Sequence, residues 1–160
     1  MIIITTQCFF PRIGGIESLM NGMANSFSKS GEKIIVLADG KKTENDKDFN
    51  FELVRFNQWK PIRKLLKARY ISKLVTKNKV KAIYADSWKS IEHINKIFCQ
   101  KLKVIVLAHG TEIPKENNFR FLKNNRVKKS YHKAEIILAN SQYTKDLMIA
   151  SIDLDHKKIF

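Results

Sequence analysis

Three short clusters in this sequence hold residue types that could do chemistry, and each lies just beyond an apolar run. The first is Gly14-Gly15-Ile16-Glu17. Adjacent glycines let the backbone approach a ligand with no Cβ in the way. A helix that begins there offers free N–H groups and a partial positive charge, which suits a diphosphate. The spacing is neither that of a P-loop nor the dinucleotide fingerprint G-x-G-x-x-G. It also reads as a plain loop-to-helix turn in which Glu17 complements the helix dipole. The second cluster is His109-Gly110-Thr111-Glu112. An imidazole beside a flexible glycine and a carboxylate can bond substrate hydroxyls or move a proton; a structural histidine is the plainer alternative. The third is Asn140-Ser141-Gln142-Tyr143-Thr144, where Ser141 is a natural helix N-cap whose hydroxyl could also meet a ligand. Asp86-Ser87 offers the same choice between binding a hydroxyl and capping a helix.

The elements that must position these clusters alternate regularly. Ile2–Thr5, Ile34–Ala38, Ala82–Ala85, Val104–Ala108 and Ile136–Ala139 are short apolar runs, and Phe49–Phe56 alternates in the manner of a strand near a sheet edge. Between them lie segments of helical period: Glu17–Ser30 with Gly31 at its C-terminal cap, a helix opened by Pro61, Ser90–Lys101, Phe119–His132 and Gln142–Ser151. In the Pro61 helix, Ile62, Leu65, Leu66, Tyr70, Leu74 and Val75 form the expected apolar side, with the Leu65/Leu66 stripe packed on the sheet. Strand and helix in this order predict right-handed βαβ crossovers. The expected fold class is α/β, a doubly wound parallel sheet in a Rossmann-like three-layer sandwich. Ligands in such sheets sit beyond the carboxyl ends of the strands, where all the clusters named above fall. No internal repeat or linker divides the chain, so residues 1–160 are expected to form one domain.

Composition narrows the function classes. With 44% apolar residues over 160 positions the chain can bury a real core. Cys8 and Cys99 stand far apart, which reads as reduced, structural thiols of a cytoplasmic protein and predicts neither a disulfide framework nor a metal site. The formal charge of +15 favours polyanions: nucleic acid, an anionic membrane surface or phosphorylated substrates. Because the surplus is carried by Lys far more than Arg, sequence-specific nucleic-acid reading is disfavoured. No apolar stretch approaches the roughly 18 residues of a membrane span. Two basic stretches, Trp59–Lys81 and Lys115–Lys133, carry aromatics that could lie on an anionic bilayer. Peripheral contact at the inner face of the cell membrane is therefore compatible with a cytoplasmic location.

Several of these pieces coincide in a resemblance. Phe10-Pro11, Gly14-Gly15-Ile16-Glu17, Met23-Ala24, Gly31 and the Ile34–Leu37 run resemble the start of glycosyltransferase family four. Val104–Glu112, ending in His-Gly-Thr-Glu, is similar to that family's fifth strand and its loop. Ala134–Thr144 is similar to its A-D-x-I-x-x-x-S-x-x-T segment. The resemblance implies the amino-terminal half of a GT-B fold and retaining hexosyl transfer from a nucleotide-sugar substrate, with no cofactor or metal. It implies that Gly14 and Gly15 approach the donor diphosphate and that His109 is catalytic. Asp86, Gly110, Thr111, Glu112 and Ser141 would bind the acceptor or line the site, with Glu17 and Ser141 at motif positions of structural role. The acceptor would be a glycan or lipid-linked molecule of the cell envelope.

There are departures. Asp86 stands where relatives often carry a histidine-containing segment, and Glu32 replaces the usual His. Glu44 and Glu52 show a spacing sought in sugar transferases, but a polar turn and an edge strand are the wrong setting, and they are set aside. The donor-binding domain is expected to be absent from these 160 residues, so the chain is expected to be inactive alone, truncated or paired with a separate donor-binding chain. The alternatives are a non-catalytic membrane-surface or polyanion-binding module and, more remotely, a flavodoxin-like or receiver domain lacking the acidic cluster a receiver needs.

Overall fold

Period-two alternation within the apolar runs decides how the sheet is covered. The computed structural model describes residues 1–113 and 121–160. In it, six strands form one parallel sheet: β1 (Ile2–Thr6), β2 (Ile34–Asp39), β3 (Glu52–Phe56), β4 (Ala82–Ala85), β5 (Lys103–Ala108) and β6 (Ile136–Ala139). Their order is β3-β2-β1-β4-β5-β6, so the chain reverses direction across the sheet between β1 and β4. Ile2 and Ile4 face one side with Ile34, Val36 and Ala38, against Met20 and Ala24 of α1 (Gly15–Lys29). Ile3, Ile35 and Leu37 face the other, against Ile71 of α2 (Lys60–Lys77), Ile91 of α3 (Trp88–Ile91) and Cys99 of α4 (Lys96–Lys101). Val127 and Tyr131 of α5 (Phe121–Tyr131) and Met148 of α6 (Gln142–Ser151) complete that layer. This is the doubly wound, three-layer α/β arrangement the sequence predicts.

Helix α1 ends as expected. Gly31 takes φ +83°, and the N–H groups of Gly31 and Glu32 donate to the carbonyls of Ser28 and Phe27. Three expectations need correction. The strand expected over Phe49–Phe56 begins at Glu52, because Phe49 and Phe51 turn inward to pack with Phe9 at ring-centre distances of 5.6 and 6.2 Å.

The single helix expected over Ser90–Lys101 is broken. Lys133 Nζ reaches the carbonyls of Ile91 and Ile94 at 3.3 and 2.9 Å, and that of Glu92 as well. Asn95 Oδ1 then accepts from Ile97 N–H at 2.9 Å and starts α4 anew. A lysine from beyond α5 therefore holds carbonyls that a continuous helix would have used.

The apolar side of α2 is rotated from the expected one. Its buried face is Lys67, Ala68 and Ile71, with Leu66, Tyr70, Leu74 and Val75 packed around it. Leu65 lies about 200° around the helix from Lys67. Accordingly Ile62 and Leu65 are 50% and 47% exposed. The helix expected over Phe119–His132 is described from Phe121 to Tyr131, while Lys115, Phe119 and Arg120 of the basic stretch lie outside the described residues.

Candidate functional site at the carboxyl edge of the sheet

The reversal point between β1 and β4 is bridged by Asp86, which follows β4 and is 2% exposed. Its Oδ2 accepts from the Gln7 N–H at 2.7 Å and lies 2.9 Å from the Thr6 hydroxyl. Its Oδ1 takes the hydroxyls of Ser87 and Ser90. A carboxylate committed to these donors ties the ends of β1 and β4 together, and its side chain turns inward. Ser87 stands at the N-cap of α3, yet its side chain makes no capping bond; instead its Oγ accepts from Gln7 Nε2 at 3.1 Å.

The Asp86 backbone carbonyl has a separate partner. His109 Nε2 lies 2.7 Å from it. A carbonyl only accepts, so Nε2 carries the proton of that bond, and in the neutral ring Nδ1 is left as the acceptor. The loop carrying His109 is fixed by Glu112, whose Oε1 accepts from the His109 N–H at 2.9 Å and from the Tyr131 hydroxyl at 2.7 Å. Tyr131 is fully buried; burial and then the Glu112 charge push its pKa far up, so it remains a donor. Thr111 is exposed at the tip of the loop.

Gly110 is required by its surroundings. Its φ is +89°, and a Cβ placed there would lie 2.7 Å from Thr144 Oγ1. Thr144 is buried at the first turn of α6, donating through Oγ1 to Asn140 Oδ1 at 2.8 Å. Ser141 is the N-cap of that helix and accepts from the Thr144 N–H at 3.2 Å. The Ser141-x-x-Thr144 spacing thus seats the His109 loop against α6, and capping accounts for Ser141.

On the other side of the reversal, the segment after β1 is pinned by Phe9 in its aromatic cluster, 3% exposed. Burying such a ring contributes about 1.5–3 kcal/mol. The chain then runs out to Gly14 and Gly15, which cap and begin α1. These two glycines differ. A Cβ on Gly14 would lie 2.5 Å from Glu17 Oε2, whereas one on Gly15 would meet nothing within 4 Å. Glu17 is buried and pairs with Arg12 Nε at 3.0 Å, and the Arg12 guanidinium is 75% exposed.

All the predicted site residues therefore follow strand ends on one rim. The glycine pair comes after β1 and His109 after β5, with Asp86 after β4 between them.

Sequence reasoning missed the charges beneath this rim. Lys67, counted among the basic face of α2, is 5% exposed and donates to the Thr6 carbonyl at 2.8 Å and to Asp39. Burial lowers its pKa, with Asp39 opposing that shift. Arg63 Nε lies 3.0 Å from Asp39 Oδ2, as an ion pair without hydrogen-bond alignment. Lys67 precedes Ile71 by four residues, and that spacing was the available signal that it faces inward. Arg55 Nε and a terminal nitrogen grip Asp46 at 2.7 and 2.8 Å, and Arg55 also holds the Phe10 carbonyl of the glycine loop. Burial opposes the Asp46 charge, but the bonds from Arg55 and Thr43 outweigh it and bring the pKa down to about 2. Among the described residues no group of three or more His, Cys, Asp or Glu side chains could hold a metal ion. None of the described helices is long and apolar enough to cross a membrane.

The comparisons with known proteins agree on the fold. The sequence model of Glycosyltransferase Family 4 matches residues 13–160. No sequence among curated proteins matches. Of solved structures, Anabaena Alr3699/HepE in complex with UDP superposes with TM-score 0.69 at 15% identity, over 99% of this chain and 42% of that one. A glycosyltransferase from Rickettsia africae gives 0.63 at 19% identity, over 99% and 41%. The UDP-GlcNAc 2-epimerase of Methanocaldococcus jannaschii gives 0.65 at 13%, over 99% and 44%. The chain thus spans less than half the length of these proteins.

Proposed function

Since the chain belongs to glycosyltransferase family 4, we propose that it is the acceptor-binding amino-terminal half of an enzyme that transfers a hexosyl group from a nucleotide sugar. One observation carries this reading. His109 is clamped through Nε2 to the Asp86 carbonyl, so its Nδ1 is oriented, and among the described residues it has no hydrogen-bond partner at the carboxyl edge of the sheet. Such a group can accept a hydrogen bond or a proton from a hydroxyl of donor sugar or acceptor. Gly15 supports the same reading, because a Cβ there would meet nothing within 4 Å among the described residues. A donor diphosphate could approach the start of α1 there, with the exposed Arg12 beside it. That Alr3699/HepE is described in complex with UDP-glucose supports a nucleotide sugar as the donor class. The acceptor is a cell-envelope glycan or a lipid-linked sugar.

The larger share of the diphosphate's charge stabilisation would come from a donor-binding half. Titrating the chain with UDP-hexoses, alone and with that half supplied separately, tests the proposal. Turnover is expected in combination and little alone; efficient turnover by the 160-residue chain unaided would overturn the division of labour.

A second reading has its own observation. Trp59, Ile62 and Leu65 are 74%, 50% and 47% exposed, with Lys60, Arg69 and Lys73 on the same helix. That mixture suits an anionic membrane surface at the inner face of the cell membrane. Vesicle sedimentation that weakens with salt and with Trp59→Ala, yet is indifferent to His109→Ala, is the expected result.

A further inference from the structure

Behind the rim, the start of α2, helix α3 and the first turns of α5 line an open cavity of about 460 Å³. Trp88 is its floor and is 2% exposed. Lys89 Nζ lies 5.8 Å from the centre of the Trp88 ring, and the Arg126 guanidinium 5.9 Å. Lys60, Lys64 and Lys123 face the same space. Five cations therefore surround one cavity, and Lys64, Lys89 and Lys123 are half-buried rather than splayed into water.

The carboxylate that answers them is Glu92, which accepts from Lys64 at 2.7 Å and pairs with Arg126. Burial works against its charge, but hydrogen bonds from Arg126 and Lys64 outweigh that and hold its pKa below the ordinary value. Glu92 is spent on those two. Lys60, Lys89 and Lys123 have no carboxylate partner among the described residues. His93 has its pKa lowered, chiefly by burial, so it adds a neutral ring to the lining rather than a further charge. Like charges gathered around a partly desolvated space repel one another, and a bound anion relieves that repulsion.

Size and connection narrow the anion. The volume falls in the range of small-molecule pockets, roughly 300–1,000 Å³, so a bare ion would leave it mostly empty. Lys64, Lys89 and His93 also line a narrow recess bordered by Gln7, just after β1, and Asp39, at the end of β2. Gln7 and Asp39 in turn border the depression beneath Pro11 and Arg12.

We propose that this cavity binds the phosphoryl group of a phosphorylated sugar, so that the acceptor is recognised through its phosphate. The inference deepens the acceptor-side reading above and rests on it. Lys60, Lys89 and Lys123 supply the charge, and the Trp88 floor excludes water from beneath the ligand.

Trp59→Phe leaves Trp88 as the sole tryptophan, so its emission reports the cavity directly. The protein carrying that change is titrated with glucose 1-phosphate, inorganic phosphate, glucose and phosphatidylglycerol vesicles. A saturable response to glucose 1-phosphate is expected, with inorganic phosphate competing more weakly and glucose silent. The double variant Lys89→Gln, Lys123→Gln should weaken binding roughly tenfold or more, since two charge-assisted bonds are lost. Lys60→Gln, at an exposed position, gives the same test should the double variant fail to fold. Binding unchanged in both variants, a response to vesicles alone, or inorganic phosphate binding as tightly as the sugar phosphate would each overturn the proposal. Transfer assays with a donor-binding half read the general function separately. Phosphosugar binding without any transfer would remove that function and leave this site standing, whereas transfer without phosphosugar binding would remove this site alone.

Discussion

The two flanks of the sheet's carboxyl edge are built from different forces. On the β4–β6 side the His109 loop is held by packing and directional hydrogen bonds: Gly110 against Thr144, Glu112 on the His109 N–H, and Tyr131 behind it. On the β1–β3 side the glycine loop rests on buried ion pairs, Asp46 with Arg55 and Asp39 with Lys67. The same contrast separates the glycines. Gly110 is demanded by its own domain, while Gly15 is not.

The largest effect expected is on rate. In the complete enzyme His109→Ala should lower transfer by roughly 10²–10⁴-fold with the melting temperature nearly unchanged. Paired loss of rate and stability would instead make the histidine part of the scaffold. Gly110→Ala should follow, costing about 2 kcal/mol or more through its positive φ and its contact with Thr144. Calorimetry should show several degrees lost, and an unchanged melting temperature would erase the contrast with Gly15. Acid should then distinguish the flanks. The Asp46 pKa is depressed in the folded state, from 3.8 to about 2. Its stabilisation is therefore complete above the unfolded value and lost as pH falls from about 4 through 2. That amounts to at most about 2.5 kcal/mol. Hydrogen exchange along this descent should open β2 and β3 before β5 and β6, and the reverse order would contradict the assignment. Smallest in stability is Gly15→Ala, within about 0.5 kcal/mol of wild type, while it weakens nucleotide-sugar use by the complete enzyme.

Five strands were legible because each is an uninterrupted apolar run bounded by polar turns, and a sheet covered on both faces needs such runs. The rim could be read because the parallel topology places every strand end on it. The break at Glu92–Asn95 was not legible: Lys133 closes it from some forty positions away, and local periodicity does not register that distance. Lys67 is a partial case: its spacing of four from Ile71 places it on the inner face, but its partners, Asp39 and the Thr6 carbonyl, come from β2 and β1 and are not legible in α2 alone. The basic cavity escaped because its residues come from three helices, and no single stretch shows their convergence on Trp88.

The hold of Lys133 on the end of α3 has a consequence for affinity. Trp88 begins a helix of four residues, too short to persist by its own hydrogen bonds. With its trailing carbonyls gripped from the opposite end of α5, that segment is already ordered before any ligand arrives. An incoming molecule then sacrifices its own freedom but little of the receptor's, so weak individual contacts can add up to useful occupancy.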